Sequence, residues 1–585
     1  YLDAVANGFE GTETVFNESI AQIKDIITAV TAMKGLGWAG ESLSELKATV
    51  DYILASQELD MGVEFSAMPA TVTGTRTLSN VGKTFRVNAG SMNTDPYPLT
   101  DVRYQFPYNR MRTAKISATG VVAAYIDEPG FSAAEGNAMV WLPKTYYRKT
   151  SVYDIEFSAY QRPGYTIYPL FWDYTNEVER DGVWVSALPA SDGTTVLKSE
   201  PDSFIAHSKL MYGATGFRGL AQAIGTGWGI GDLALRDYLK DLFLVAAASW
   251  NSQAAVGKGC EAMRYSADDK VVLATSSRND IIVSTTTAAL YNVGEWISLG
   301  SSVGASTRFH SRAITAKKDA GKLDLTATVD ADTVTVNATT YTKVASDPGA
   351  GEFVNAAGLV AILDAIEGMD AIAASEVITI VCDSTLTVTF SGENTTYTAY
   401  KSVVVGGAAF NAVLNDVMWH CAQVVTEAML LAMGNESGYI GTNGRTPVSF
   451  FGIWDLWGNI WQWVDGAFKS DSDFYYTFDP QYYDAIINTI PATLGDYTKH
   501  ATPLPTSNGY LGEMEGVPAV PKTLTGGSDV TGCCDYFYQN TGYRGLRVGG
   551  NWNAAASNPG LFYWIVSNTP DDTYVHLGAR LLGRP

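Results

Sequence analysis

The chain has 585 residues, a hydrophobic fraction of 46% and a formal net charge of -22; that length suits roughly three to five domains and buries sizeable cores without staples. The acidic balance, with no run rich in Lys and Arg, excludes nucleic acid and anionic membranes as partners, because both require clustered cations to replace counterions. Neither a signal-peptide pattern nor an apolar run of about 18 residues occurs, so no membrane insertion is expected.

Phe16, Ile20, Ile23, Ile27 and Val30 fall at heptad spacing. Leu43, Leu46, Val50 and Ile53 repeat it after Gly35 and Gly37, behind a capping box of Ser42 and Glu45. Residues 1–60 therefore read as a short helical stem, either a hairpin or an oligomerisation element. From 61 to 136 the pattern becomes β-rich, as in Ala70–Gly74 and Ile116–Val122, between Gly, Asn and Pro punctuation. This stretch reads as a connector with no visible chemistry.

Met139–Tyr147 predicts a strand ended by Pro143 and followed by an aromatic strand. Gly225–Gly231 lacks both the P-loop lysine and the GxGxxG spacing, so it is not a nucleotide loop. A helix is predicted from about Asp232, with Leu235, Tyr238, Leu239, Leu242 and Phe243 on one face, and a second over Val417–Met433. The interval 261–410 between them is too long for a loop and reads as an inserted β-rich domain. Within it, Lys322–Val344 and Val377–Phe390 alternate as strands, and Asn355–Glu367 is a short helix with Leu359, Ile362, Leu363 and Ile366 inward.

The five cysteines, Cys260, Cys382, Cys421, Cys533 and Cys534, are odd in number and lack metal spacing, so no disulfide framework is implied. Vicinal Cys533-Cys534 reads as two buried free thiols. The five histidines, His207, His310, His420, His500 and His576, are scattered, without a metal-binding signature. Trp454, Trp457, Trp461 and Trp463 suit either a carbohydrate-stacking platform or a core. Further on, Leu546–Trp552 predicts a strand entering the Gly549-Gly550 pair, Leu561–Val566 a second strand, Asn568–Asp572 a turn, and Leu577–Leu582 a closing strand.

Gly549-Gly550-Asn551-Trp552, Asn568-Thr569-Pro570-Asp571, Leu577-Gly578-Ala579-Arg580 and Asp455–Trp463 together resemble the C-type lectin fold of the formylglycine-generating-enzyme type. The resemblance is greatest to the receptor-binding variable proteins of diversity-generating retroelements in phages, whose C-terminal segment is rewritten while the fold stays fixed. It implies an α+β chain: a stem at 1–60 suited to trimerisation, a connector at 61–136, a lectin-like domain made of 137–260 and 411–585, and the insert at 261–410. It also turns the Trp454–Trp463 tryptophans mostly into core.

The copper-binding cysteines of the enzyme branch fall on Ala554 and Pro559, which offer no ligand, so the fold carries over without the catalysis. Gln462 stands where relatives carry an acidic residue that helps to hold calcium, and a neutral amide is a poorer ligand for a hard cation. The resemblance implies a non-enzymatic protein without cofactor, calcium being disfavoured. It implies a homotrimer at the phage tail tip, made in the host cytoplasm, adhering to a bacterial surface protein or glycan and so setting host tropism, with other tail proteins as partners.

Retroelement mutagenesis changes template adenines, so asparagine codons are the richest targets, while Trp, Gln, Lys and Glu are out of reach. That rule selects Asn551, Asn553, Ala554, Ser557, Ile565, Ser567, Asp572, Tyr574 and His576 as variable, with Tyr538 and Tyr543 on the preceding loop. The expectation is one exposed patch in which Tyr574 and the fixed Trp564 are anchors and Ser, Asn and Asp adapt their hydrogen bonds, as in antibody paratopes. The alternative is a structural tail or adhesin protein with a fixed lectin fold that binds through the insert.

Overall fold

The computed structural model describes residues 60–585 except 69–72, 194, 261–262, 392–394, 442–444, 486–495, 526–534, 554–559 and 585. The expected N-terminal stem and Cys533-Cys534 lie outside the described residues. Within them the chain is mostly β-sheet; its body holds a six-stranded and a nine-stranded sheet together with a five-stranded and a four-stranded one, and it carries an insert. Cys260, Cys382 and Cys421 are buried free thiols.

One body sheet has six strands, in the order Trp228–Ile230, Leu581–Gly583, Gly182–Ser186, Asn137–Pro143, Thr113–Ile116 and Val122–Tyr125. The last strand of the chain is thus an interior one: Leu582 faces Val185 on one side and Gly229 on the other. The second sheet has nine strands, and its centre runs Trp461–Ser470, Tyr543–Val548, Trp564–Val566, Tyr536–Gln539, Gly509–Glu515. The closing strand expected over Leu577–Leu582 is split in two. Leu577–Gly578 lies parallel to Trp461-Gln462 in the second sheet, and Leu581–Gly583 crosses to the first.

Arg580 occupies that crossing. It is 2% exposed and donates to Gln462 Oε1 at 3.0 Å, Ser186 O at 2.6 Å and Trp454 O.

The predicted helix is present as Leu233–Ala247, capped by Asp232, whose side chain accepts from Leu235 N at 2.9 Å. Burial extends all round it, beyond the single apolar face, to Arg236, Asp237, Lys240 and Asp241. Asp237, Lys240 and Asp241 are paired inside: Lys149 Nζ lies 3.2 Å from Asp237 and also contacts Asp241, and Lys240 Nζ lies 3.2 Å from Asp237. Burial opposes the Lys149 charge, but Asp237 and Asp241 outweigh it and hold the ammonium above its ordinary pKa. Removing one member of such a set leaves a bare buried charge.

Three expectations change. The connector at 61–136 is no separate domain, because Asp60–Glu64 pairs with Asp154–Ser158 and Thr113–Ile116 with Asn137–Pro143. Met61, Val63, Val102, Tyr108 and Phe131 share one core with the Leu233–Ala247 helix. Strand edges must be paired, and the sequence does not say by what.

The helix expected over Val417–Met433 is a strand, Val417–His420, followed by a separate short helix, Glu427–Met433, capped by Thr426. A continuous apolar run suits either form; here the open edge of Trp296–Gly300 takes Val417–His420 as its neighbour. The strand expected over Leu561–Val566 is only Trp564–Val566.

The Val417–His420 pairing also carries the insert's sheet past residue 410. Its long strand Phe309–Asp324 runs alongside Thr396–Val405 and links two apolar clusters, one around Leu359 and Ile378, the other around Ile281 and Ile297. The insert's helix is Ala356–Leu363, capped by Asn355, with Leu359 and Leu363 fully buried. The insert is rooted through a cluster holding Trp419, Met263, Ile460 and Trp552, with Met263 N donating to Trp552 O at 3.0 Å.

Replacing Arg580 by Met removes the donors of three buried acceptors. We expect a loss of about 3–5 kcal/mol, read as a lower urea midpoint, with Arg580→Lys intermediate. Wild-type stability of Arg580→Met would show that the crossing is held by something else.

Candidate functional site

The two faces of the nine-stranded sheet differ in chemistry because residues alternate along each strand. Inward, Phe537, Trp564, Val566, Leu546 and Val548 belong to the main core. On the other face the register sets Tyr538 beside Ile565, Ile565 beside Arg547, and Arg547 beside Trp463, and Trp461, Trp463, Tyr563 and Ile565 join Met211, Phe217 and Trp228 in a second buried core. One step along the same face, rings follow one another: Tyr510 to Tyr536 at 5.2 Å, Tyr536 to Tyr563 at 6.2 Å, and Tyr563 to Trp461 at 4.7 Å between centroids.

Arg547 sits at the centre of this face, 2% exposed, with its guanidinium carbon 5.6 Å from the Trp461 ring centroid and 5.4 Å from that of Trp463. It donates to neutral acceptors, Ser567 Oγ at 3.3 Å and Asn568 Oδ1, while its Nε finds no acceptor among the described residues. Burial pushes the guanidinium down from its ordinary pKa, and Asp572, Tyr563 and Tyr574 oppose that shift.

The loop above is built on the same arginine. Asn568 Nδ2 donates to Asp572 Oδ2 at 2.8 Å, and the same oxygen accepts from Thr569 N at 2.9 Å, closing the turn expected there. At Gly545 a Cβ would lie 2.9 Å from the Trp463 ring and 3.5 Å from Pro570, so glycine lets the loop lie down on the sheet. Beyond the turn, Tyr574 stacks on His576 at 5.3 Å with 2° between planes, forming an outer ridge. Burial, and then Arg547, push His576 down to about 4, so its ring is neutral at ordinary pH.

A scan against protein-family models gives no match for this chain, and no curated protein matches it. The face is therefore read from its own chemistry. Its groups stack and exchange hydrogen bonds, with Tyr538 and Tyr574 at the exposed margin.

Of the residues chosen from the sequence, Tyr538, Ile565, Ser567, Asp572, Tyr574 and His576 are brought together around Arg547. Tyr543 lies further along the same face against Phe468, at 5.3 Å. Tyr538 is 39% and Tyr574 47% exposed, whereas Ile565 and Ser567 form the floor at 8% and 9%.

Two choices are corrected. Trp564 is 3% exposed and packs on Phe474 at 5.4 Å, so it is core rather than anchor; one position of register decides which way a strand residue points. Asn551 is 6% exposed and bridges to Asn459 beneath the glycine pair, out of reach of a ligand. Asn553 is exposed but stands on the next loop, while Ala554 and Ser557 lie outside the described residues.

Six of the face's residues were not among the choices: Arg547, Trp461, Trp463, Tyr510, Tyr536 and Tyr563. The signal for Arg547 was present, since an arginine flanked by the apolar Leu546 and Val548 in a strand needs an inside partner.

The expected tryptophan core is found: Trp454, Trp457 and Trp463 are fully buried and Trp461 is 5% exposed. Gln462 is held in structure, donating to Asp455 O at 2.6 Å and accepting from Arg580. Among the described residues no group of three or more His, Cys, Asp or Glu is assembled that could hold a metal. Among the same residues, no helix is long and apolar enough to cross a membrane.

Trp564→Ala should cost about 3–5 kcal/mol, while Tyr538→Ala and Tyr574→Ala should each stay within about 0.5 kcal/mol of wild type. Thermal denaturation checks this; a large loss at Tyr574 would make the ridge a structural element instead of a surface.

Proposed function

We propose that this protein is a phage tail receptor-binding protein whose C-terminal face, on a C-type lectin fold of the formylglycine-generating-enzyme type, is rewritten by a retroelement and binds a bacterial surface protein or glycan. It acts by binding and not by catalysis, as a homotrimer among other tail proteins at the tail tip. The observation that carries this reading is the convergence around Arg547. Tyr538, Ile565, Ser567, Asp572, Tyr574 and His576, six of the positions chosen by the codon rule, lie on one sheet face and the loop on it, while Asn551 and Asn553 lie away from it.

The division of labour on that face fits diversification. Trp461, Trp463 and Arg547 form a buried base, Tyr574 and Tyr538 form its exposed relief, and loop substitutions leave the base in place. Weak single contacts would be reinforced by several copies. The long helix Leu233–Ala247, which packs on Trp461–Ser470 and on the strands Asp60–Glu64 and Asp154–Ser158, supports the lectin-type reading; the second helix of that reading is only the short Glu427–Met433.

A second reading, a tail or adhesin protein with a fixed lectin fold, has one observation in its favour. The insert carries a cleft of about 490 Å³ lined by Arg278, Asp280, Lys318, Asp370 and Asp383. Under it, cell adsorption would be lost on Lys318→Glu and kept on Tyr574→Ala.

Sequencing the gene and its surroundings in several isolates tests the first reading. Differences should concentrate at adenine-matched codons for Asn553, Ala554, Ser557, Ile565, Ser567, Asp572, Tyr574 and His576. Asn551 should vary little because it is enclosed, and Gly549, Gly550, Trp552, Gly578 and Arg580 should not vary. Differences spread evenly along the chain would refute diversification.

A further inference from the structure

The insert meets the body at a contact that recognition at the C-terminal face does not use. His207 belongs to the body segment beside Tyr574, whose carbonyl accepts from Ser208 N at 3.1 Å. His310 lies on the insert's long strand. Their rings meet Nε2 to Nε2, with centroids 4.2 Å apart and planes at 79°. Phe204 stands edge-on to both, at 4.9 and 5.0 Å.

Each outer nitrogen is tied to a serine of its own side: His207 Nδ1 to Ser208 Oγ at 2.6 Å, and His310 Nδ1 to Ser298 Oγ at 2.6 Å. These ties fix both rings, so the inner nitrogens cannot turn away. A neutral pair is well matched there, because one Nε2–H donates and the other Nε2 accepts. Two protonated rings would set donor against donor and charge against charge.

The groups around the pair offer no relief. On the body side stand Lys209, whose ammonium lies 3.1 Å from Asp192, and His576, and both disfavour charge on His207. On the insert side are Ser298 and the neighbouring Ser311 and Cys421, whose thiol is pushed up to about 11 by burial and so stays uncharged. Burial first, then His310, Lys209 and His576, push His207 down to about 3; burial pushes His310 down to about 4.

We propose that the His207–His310 pair is an acid-sensitive latch: as neutral rings it holds the insert against the body beside the Tyr574–His576 ridge, and acid releases it. The sign follows from linkage. With the contact open, each ring returns toward its ordinary value of about 6.5, so protons bind the open form preferentially. The latch is at full strength above about pH 6.5 and weakens as pH falls toward about 4. It stands whether or not the C-terminal face is diversified.

Hydrogen exchange on the full chain, corrected for intrinsic rates, tests this at about pH 7.5 and about pH 5. Protection of residues 204–209 and 298–311 should fall by about 10-fold or more at the lower pH in wild type. A His207→Gln, His310→Gln double variant, shown to be folded by circular dichroism, should lose that pH step. Equal losses in both proteins, or unchanged protection in wild type, would overturn the latch.

Two further measurements bear on it. If the double variant fails to fold, titration of the wild-type imidazole resonances decides: both rings should titrate below about pH 5, and values near the ordinary 6.5 would refute the proposal. Tightening of the junction by zinc chloride at neutral pH, reversed by a chelator, would reveal a shared cation and overturn a proton latch.

Discussion

The body depends on one buried guanidinium. Arg580 stands where the chain leaves the nine-stranded sheet and enters the six-stranded one, and its donors reach Ser186, Trp454 and Gln462, residues from both halves of the body. Burial pushes its pKa down to about 9, and Asp455 pulls the other way. Asp455 is itself pushed up to about 7 by burial, against the bond from Asn459 and the charge of Arg580. Among the described residues no ion pair joins Arg580 to Asp455, so the oxygens around Arg580 carry the cost of its burial, and they are in place only when both sheets are formed. The crossing thereby couples the two sheets into one cooperative unit.

Arg547 uses the same side chain differently. It lies one sheet face away, under two tryptophans and a turn, and its hydrogen bonds go to a loop instead of to other strands. A loop anchored by one side chain can change its outer residues while its path is kept. The glycine pair plays a matching part: Gly549 and Gly550 have φ of 90° and 81°, and a Cβ on Gly549 would come 2.6 Å from Leu456 O. The chain therefore reverses sharply there, and Trp552 drops into the root of the insert. The Arg547 face, the insert and the body meet within a few residues of one another along this segment.

The sequence carried the local features well. The helices expected from Asp232 and Asn355 are present, the glycine pair takes positive φ, Asp572 closes its turn, and the tryptophans of Trp454–Trp463 are core. Each follows from a side chain acting on its own neighbours or from bulk that only an interior accommodates. Codon arithmetic likewise marked most of the positions that the fold gathers around Arg547. It could not give their depth, and so it placed Asn551 among exposed residues; the anchor role for Trp564 failed for the same reason.

What the sequence by itself determined is therefore local: the helix starts at Asp232 and Asn355, turns, the buried tryptophans and the β-rich character of the insert. Tertiary structure decided the partners. Residues 61–136 join the body because Thr113–Ile116 finds its edge on Asn137–Pro143, Val417–His420 is a strand because Trp296–Gly300 offers one, and Trp564 faces inward because of its register with Phe537 and Val548. Backbone hydrogen bonds between distant strands leave no periodic trace in either strand alone, and a shift of one residue exchanges core for surface.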